Sequence, residues 1–164
     1  MGRPHTTRAT NVRPTPATLS RAQITKRITL SYTENAAGTK FYINGKQFDP
    51  SRIDTDVSVG DVVEFTIVNQ TTELHTFHIH QSDFLVTQVN GQSANSVSLQ
   101  DNVNVSYMAN GIPGTVKVVV PFWDPVAVGM FVYHCHILEH EDGGMMTTIR
   151  LNAAPTNRLP TRRR

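Results

Sequence analysis

The sequence predicts an all-β protein, a Greek-key sandwich or barrel built as a single domain between two polar ends. Three observations predict it. Short runs rich in Val, Ile, Thr, Phe and Tyr alternate apolar with polar residues at period two. Turn signals, Asn44-Gly45 and Asn90-Gly91 among them, separate these runs at short spacing. No stretch has the 3.6-residue period of an amphipathic helix. At 164 residues the chain is the length of one domain with a real core.

Residues 1–25 are rich in Thr, Pro, Arg and Ala without apolar period, and read as a flexible basic arm or inter-domain linker. From Arg27 the pattern becomes β, with Ile28, Leu30 and Tyr32 alternating with polar neighbours. Phe41 to Ile43 runs into Asn44-Gly45, a hairpin signal. Val62 to Asn69 is a long strand after a turn at Gly60-Asp61. His75 to His80 follows, then Phe84 to Val89, which ends in Asn90-Gly91. Val103 to Tyr107, Thr115 to Val120, Gly129 to His134 and Met146 to Leu151 complete the strands, with a short helical turn over Ile137 to Glu141. Trp123, Met108 and Met130 are expected in the core. The folded unit spans 26–152, and 153–164 is a basic C-terminal tail.

Charge is segregated. Every Asp and Glu lies between Glu34 and Asp142, whereas Arg3, Arg8, Arg13, Arg21, Arg158 and Arg162 to Arg164 lie in the ends. No aromatic residues interleave with those arginines to stack on bases, so no nucleic-acid partner is expected. No apolar run is long enough for a membrane helix, so no membrane partner is expected. The first residues lack the apolar core of a secretory signal.

The chemistry lies in two clusters. One is His75-Thr76-Phe77-His78-Ile79-His80; the other is His134-Cys135-His136, followed by His140 and Met145. They hold the sole cysteine and all but one of the seven histidines, leaving only His5 outside. Imidazole with thiolate and thioether is a copper inventory, and two His, one Cys and a weak axial Met describe a blue-copper electron-transfer centre. Zinc also takes His and Cys, but structural zinc favours several thiolates at Cys-x-x-Cys spacing, which one cysteine cannot supply. Side chains alternate across a strand. His134 and His136 therefore share one face and Cys135 the other, and His78 pairs with His80 in the same way. Cys135 is left with His75, His140 and a methionine, Met145 or its neighbour Met146. The pattern predicts two metal sites joined by the backbone on either side of Cys135.

The motifs HxxHxH and HCHxxxHxxxxM resemble the C-terminal cupredoxin domain of multicopper oxidases, the laccase and ascorbate-oxidase family, across roughly Lys26 to Leu151. The runs Phe41 to Pro50 and Ile137 to Met145 are similar to bacterial laccase-type sequences. The resemblance implies a cupredoxin fold over 26–152. It implies type 1 copper on His75, Cys135, His140 and axial Met145, type 2 copper on His78, and a type 3 pair on His80, His134 and His136. It further implies a laccase-like oxidoreductase. Electrons from a small-molecule reductant (phenol-like or a metal ion) would pass from Cys135 through His134 and His136 to a trinuclear cluster that reduces O2 to water. The edge of His140 or His75 is the expected point of electron arrival, with Glu139, Glu141 and Asp142 beside it in sequence.

The departure from the family pattern is equally specific. A trinuclear cluster takes eight histidines, and the N-terminal HxH pairs are absent here. The resemblance therefore implies a complete type 1 site and half a cluster, completed by an N-terminal multicopper oxidase domain, another subunit or a second copy. The alternative is a stand-alone blue-copper electron-transfer protein without oxidase activity. Family resemblance implies a periplasmic or extracellular setting.

Overall fold

The structure, a computed structural model, describes residues 13–155. His5 and the arginines at 3, 8, 158 and 162–164 lie outside the described residues. Among the described residues eleven strands form two packed sheets: β1 Lys26–Glu34, β2 Phe41–Ile43, β3 Thr55–Ser58, β4 Val62–Asn69, β5 His75–Ile79, β6 Leu85–Val89, β7 Gln92–Ser93, β8 Asn102–Val105, β9 Gly114–Pro121, β10 Gly129–Cys135 and β11 Met146–Asn152. One sheet has the order β2-β1-β4-β9-β6-β7, the other β3-β11-β10-β5-β8. Pairing is antiparallel except at β1–β4 and β3–β11. The chain changes sheet at most connections, as a Greek key requires. The expected all-β cupredoxin-type sandwich is present.

Alternation carries the packing. On β4, Val63, Phe65, Ile67 and Asn69 turn inward, while Glu64, Thr66 and Val68 are half-exposed. Leu30, Tyr32, Phe77, Phe84, Val118, Phe122, Tyr133 and Ile149 meet them between the sheets. The Asn44-Gly45 and Asn90-Gly91 pairs both adopt positive φ (53° and 72°, 48° and 76°), the backbone that tight hairpins demand.

Several expectations are corrected. Residues 13–25 are not all linker: α1, Pro16–Leu19, is capped by Thr15 with Pro16 opening the helix, and Leu19 is buried. Met130 is 68% exposed, because even-numbered positions of β10 point away from the core. Trp123 is only half-buried, since β9 ends at Pro121 and the chain leaves the sheet there for a 3-10 turn at Pro125–Ala127. Met108 is half-buried in the loop after β8. β3 and β7 carry no apolar run to announce them, and β3 owes its existence to parallel pairing with β11.

Register positions the chemistry. β10 pairs with β5 so that His134 faces His78 and Cys135 faces Phe77. Residues directly opposite in an antiparallel pair share a face. His134 and His78 therefore lie on the face of the sheet turned away from the other sheet, where His134 is nonetheless buried, and Cys135 points between the sheets beside Phe77. The loop after Cys135 forms α2, Leu138–Asp142, which returns His140 to the sulfur.

Candidate metal centre

Cys135 is fully buried, and its Sγ lies 3.6 Å from both His75 Nδ1 and His140 Nδ1. The two Nδ1 atoms are 2.9 Å apart. The centre of this triangle lies about 2.0 Å from every corner, an ordinary metal–nitrogen bond length. Two imidazole nitrogens and a cysteine sulfur converging on one point are the donor set of a His2Cys copper site, so the residues present fit that ion. Met145 is buried and stitched to the same residues: Cys135 N–H donates to Met145 O (3.0 Å) and Met145 N–H to His140 O (2.9 Å). Met146 instead sits opposite His134 in the β10–β11 register, on the other face.

The far side of each ring is held. His75 Nε2 is 2.8 Å from Thr71 Oγ1, and His140 Nε2 is 3.0 Å from Glu73 Oε2. Such partners outside the ligand set orient metal-binding imidazoles. Phe41 stacks on His140, with ring centroids 4.2 Å apart, and Tyr32 meets the His75 ring edge-on at 5.6 Å. Thr76 N–H points at Cys135 Sγ (3.4 Å).

The second group gathers on the outer face. His80 Nε2 and His134 Nε2 are 3.1 Å apart. The His78 ring centroid lies 5.0, 5.2 and 4.9 Å from those of His80, His134 and His136. His78, His80 and His134 each offer one ligand atom within 4.8 Å of the others. His136 stands slightly apart and exposed, 5.6 Å from His134 by ring centroids. His78 Nδ1 lies 2.8 Å from the Asp101 carbonyl and His134 Nδ1 2.9 Å from the Cys135 carbonyl. These contacts leave each Nε2 for the cluster.

Burial sets the protonation. It lowers His75 to about 4, helped by neighbouring His140, so this ring is neutral as ligation requires. Burial pushes the Cys135 thiol up, against hydrogen bonds from the Thr76 and Ile137 backbone. Burial, then His78 and His134, likewise lower His80.

Six of the eight sequence-predicted residues converge in two groups, His75, Cys135 and His140 on one face and His78, His80 and His134 on the other; His136 stands beside the second, and Met145 is tied to the first by backbone hydrogen bonds. Sequence reasoning missed Thr71, Glu73 and Phe41. Thr71 and Glu73 lie four and two residues before His75, where only proximity could have marked them; Phe41 was legible as a strand residue, but no spacing linked it to His140. The acidic run after His136 also distributes differently. Glu141 turns to His134 (3.2 Å) on the histidine face, and the carboxylate at His140 is Glu73.

A sandwich of this topology, with a buried Cys between two imidazoles and a histidine cluster behind it, defines a copper protein of the cupredoxin class. The sequence profile described as Multicopper oxidase matches residues 14–154. The chain belongs to the multicopper oxidase family. It is similar to the multicopper oxidase mco of Staphylococcus aureus, at 36% identity over 113 residues covering 66% of this chain and 24% of that protein. A laccase of Bacillus stratosphericus is 28% identical over 145 residues, covering 80% and 28% respectively. Among solved structures, a laccase from Pediococcus acidilactici superposes with a TM-score of 0.69 at 32% identity, covering 81% of this chain and 28% of that one. The chain spans about a quarter of the length of these relatives.

Proposed function

We propose that this domain is the electron-receiving part of a laccase-like multicopper oxidase. His75, Cys135 and His140 would hold a type 1 copper with Met145 as axial partner. His78 would bind type 2 copper, and His80, His134 and His136 the type 3 pair. When bound, copper would supply one-electron redox chemistry at the sulfur site and dioxygen reduction at the completed histidine cluster. The observation that carries this reading is the back-to-back arrangement, with the Cys135 thiol on one face of β10 and His134 behind it.

Each residue then has a task. Cys135 and its flanking peptide bonds give the electron a covalent route to His134 and His136. The contact between His134 Nδ1 and the Cys135 carbonyl at 2.9 Å offers a shorter one. His140 is the favoured point of electron arrival. Its Nε2 meets half-exposed Glu73, whereas His75 Nε2 faces the buried Thr71 hydroxyl. A phenol-like reductant or a reducing metal ion would approach there. Four histidines supply half a trinuclear site, so an N-terminal domain of the family or another subunit would supply the rest.

Copper stoichiometry measured with oxygen uptake tests the proposal. The isolated chain should take up copper with an intense blue absorption that Cys135→Ser abolishes; a band that survives this substitution overturns the sulfur-site assignment. Oxygen uptake should appear only once the complementary histidines are present. A lone electron carrier would have no use for four clustered imidazoles, which favours the oxidase.

A further inference from the structure

We infer that Gln47 is a positioning residue for Met145, because it clamps the Gly143-Gly144 joint that precedes this methionine. The inference rests on the copper reading above and adds a residue from outside both ligand groups.

A thioether is a weak, long axial partner in a His2Cys copper site. So soft a bond cannot draw its own loop into place, and the protein must set where the sulfur stands. Cys135 is carried by β10 and His140 by α2. Met145 instead follows two glycines, the second at φ 104°, a backbone that side chains rarely adopt. Glycines give this joint a wide choice of conformations unless something outside it holds it.

β2 and the segment leading from it to β3 close on the joint. Phe41 N–H and Gln47 Nε2 both donate to the Gly143 carbonyl, at 3.0 and 2.9 Å. Phe48 N–H donates to the Gly144 carbonyl at 3.0 Å. On the other side of Met145, Thr147 Oγ1 donates to Asp54 Oδ2 (2.7 Å) and Asp54 N–H to the Thr148 carbonyl (3.0 Å). One stretch of chain thus grips the methionine from before and after.

Among the described donors to the two glycine carbonyls, Gln47 alone uses its side chain. That side chain also lies along Gly144, where an added Cβ would stand 2.9 Å from Gln47 Nε2 and 3.1 Å from its Cβ. The strap is braced behind this contact. Arg52 Nη2 donates to the Gln47 carbonyl (2.8 Å), and Arg52 Nε pairs with Asp54 (2.9 Å). A joint released from Gln47 would pass its freedom straight to Met145, the next residue.

Two measurements separate the clamp from the copper. In the metal-free full chain, amide hydrogen exchange at Gly144 and Met145 reads how often the joint opens. Both N–H groups are hydrogen-bonded, to the carbonyls of Glu141 (3.0 Å) and His140 (2.9 Å). Gln47→Met keeps the side-chain length and removes the donor. Exchange at these two amides should rise about 2–10-fold, the worth of one hydrogen bond, while β4 amides keep their rates. In the copper-loaded chain, Gln47→Met should shift the reduction potential and the ratio of the sulfur-to-copper absorption bands. Added to Met145→Leu, the same substitution should shift neither. Equal shifts in both backgrounds overturn the inference, since Gln47 would then act through another part of the site. Unchanged exchange at Gly144 and Met145 in folded Gln47→Met overturns it as well. A parent chain that gives no blue band, with Gln47-dependent exchange intact, refutes the copper reading and leaves the clamp standing.

Discussion

Phe41 lies against His140 with ring centroids 4.2 Å apart and planes tilted by 30°. The aromatic ring sits at the start of β2, more than ninety residues before the histidine it covers, and is itself buried. Its backbone is tied to the same loop, since Phe41 N–H donates to the Gly143 carbonyl (3.0 Å). Removing this ring opens a cavity beside a buried imidazole. Phe41→Ala should cost about 3–5 kcal/mol in denaturant unfolding of the metal-free protein. A loss below about 1 kcal/mol would mean that the stack does not support the loop.

Gly143 is the complement of that ring. A Cβ placed there would lie 2.5 Å from Phe41 Cδ2 and 3.0 Å from the Glu139 carbonyl oxygen. Gly143→Ala should therefore destabilise by about 1–3 kcal/mol through overpacking. The cost should shrink when Phe41 is also replaced by Leu, and a double-mutant cycle in urea measures the coupling. Strictly additive effects would place the clash elsewhere.

Two buried tyrosines should respond oppositely to loss of their hydroxyls. Tyr32 Oη is buried with no hydrogen-bond partner, whereas Tyr133 Oη shares a bond with Thr55 Oγ1 at 2.9 Å. Tyr32→Phe removes a desolvated, unpaired group and should leave stability unchanged or raise it by about 1 kcal/mol. Tyr133→Phe strands the Thr55 hydroxyl and should cost about 1–2 kcal/mol. Equal losses in thermal or urea unfolding would contradict this assignment.

Asp54 makes a prediction about acid. Burial pushes its carboxyl up, but hydrogen bonds from Arg52, Thr147 and Lys46 more than offset this and hold it at about 2, below its ordinary 3.8. A depressed carboxylate stabilises the fold above its unfolded-state value, and that stability disappears as pH falls through the folded value. Asp54 should thus contribute about 2 kcal/mol near neutral pH, lost between roughly pH 4 and 2. Urea midpoints measured across that range should fall more steeply for the parent than for Asp54→Asn. Parallel curves would show that the Arg52–Asp54 pair carries no net stability.

By itself the sequence determined the strand-based fold, the two histidine-bearing groups and their opposition across β10. These follow from local properties. Side-chain alternation is fixed by backbone geometry, so His134-Cys135-His136 must split between two faces wherever the strand lies. The same alternation explains why Met130 faces out, although its apolar character pointed inward. Only the tertiary structure decided what surrounds these residues. Phe41 reaches His140 because β2 lies beside the loop after β10, and Glu73 and Thr71 reach the rings because the 70–74 turn folds over β5. Met145 rather than Met146 accompanies Cys135 because β11 pairs with β10 in a register that puts Met146 opposite His134. Those contacts depend on sheet order, register and loop closure, which join residues far apart in the chain and leave no period or spacing to read.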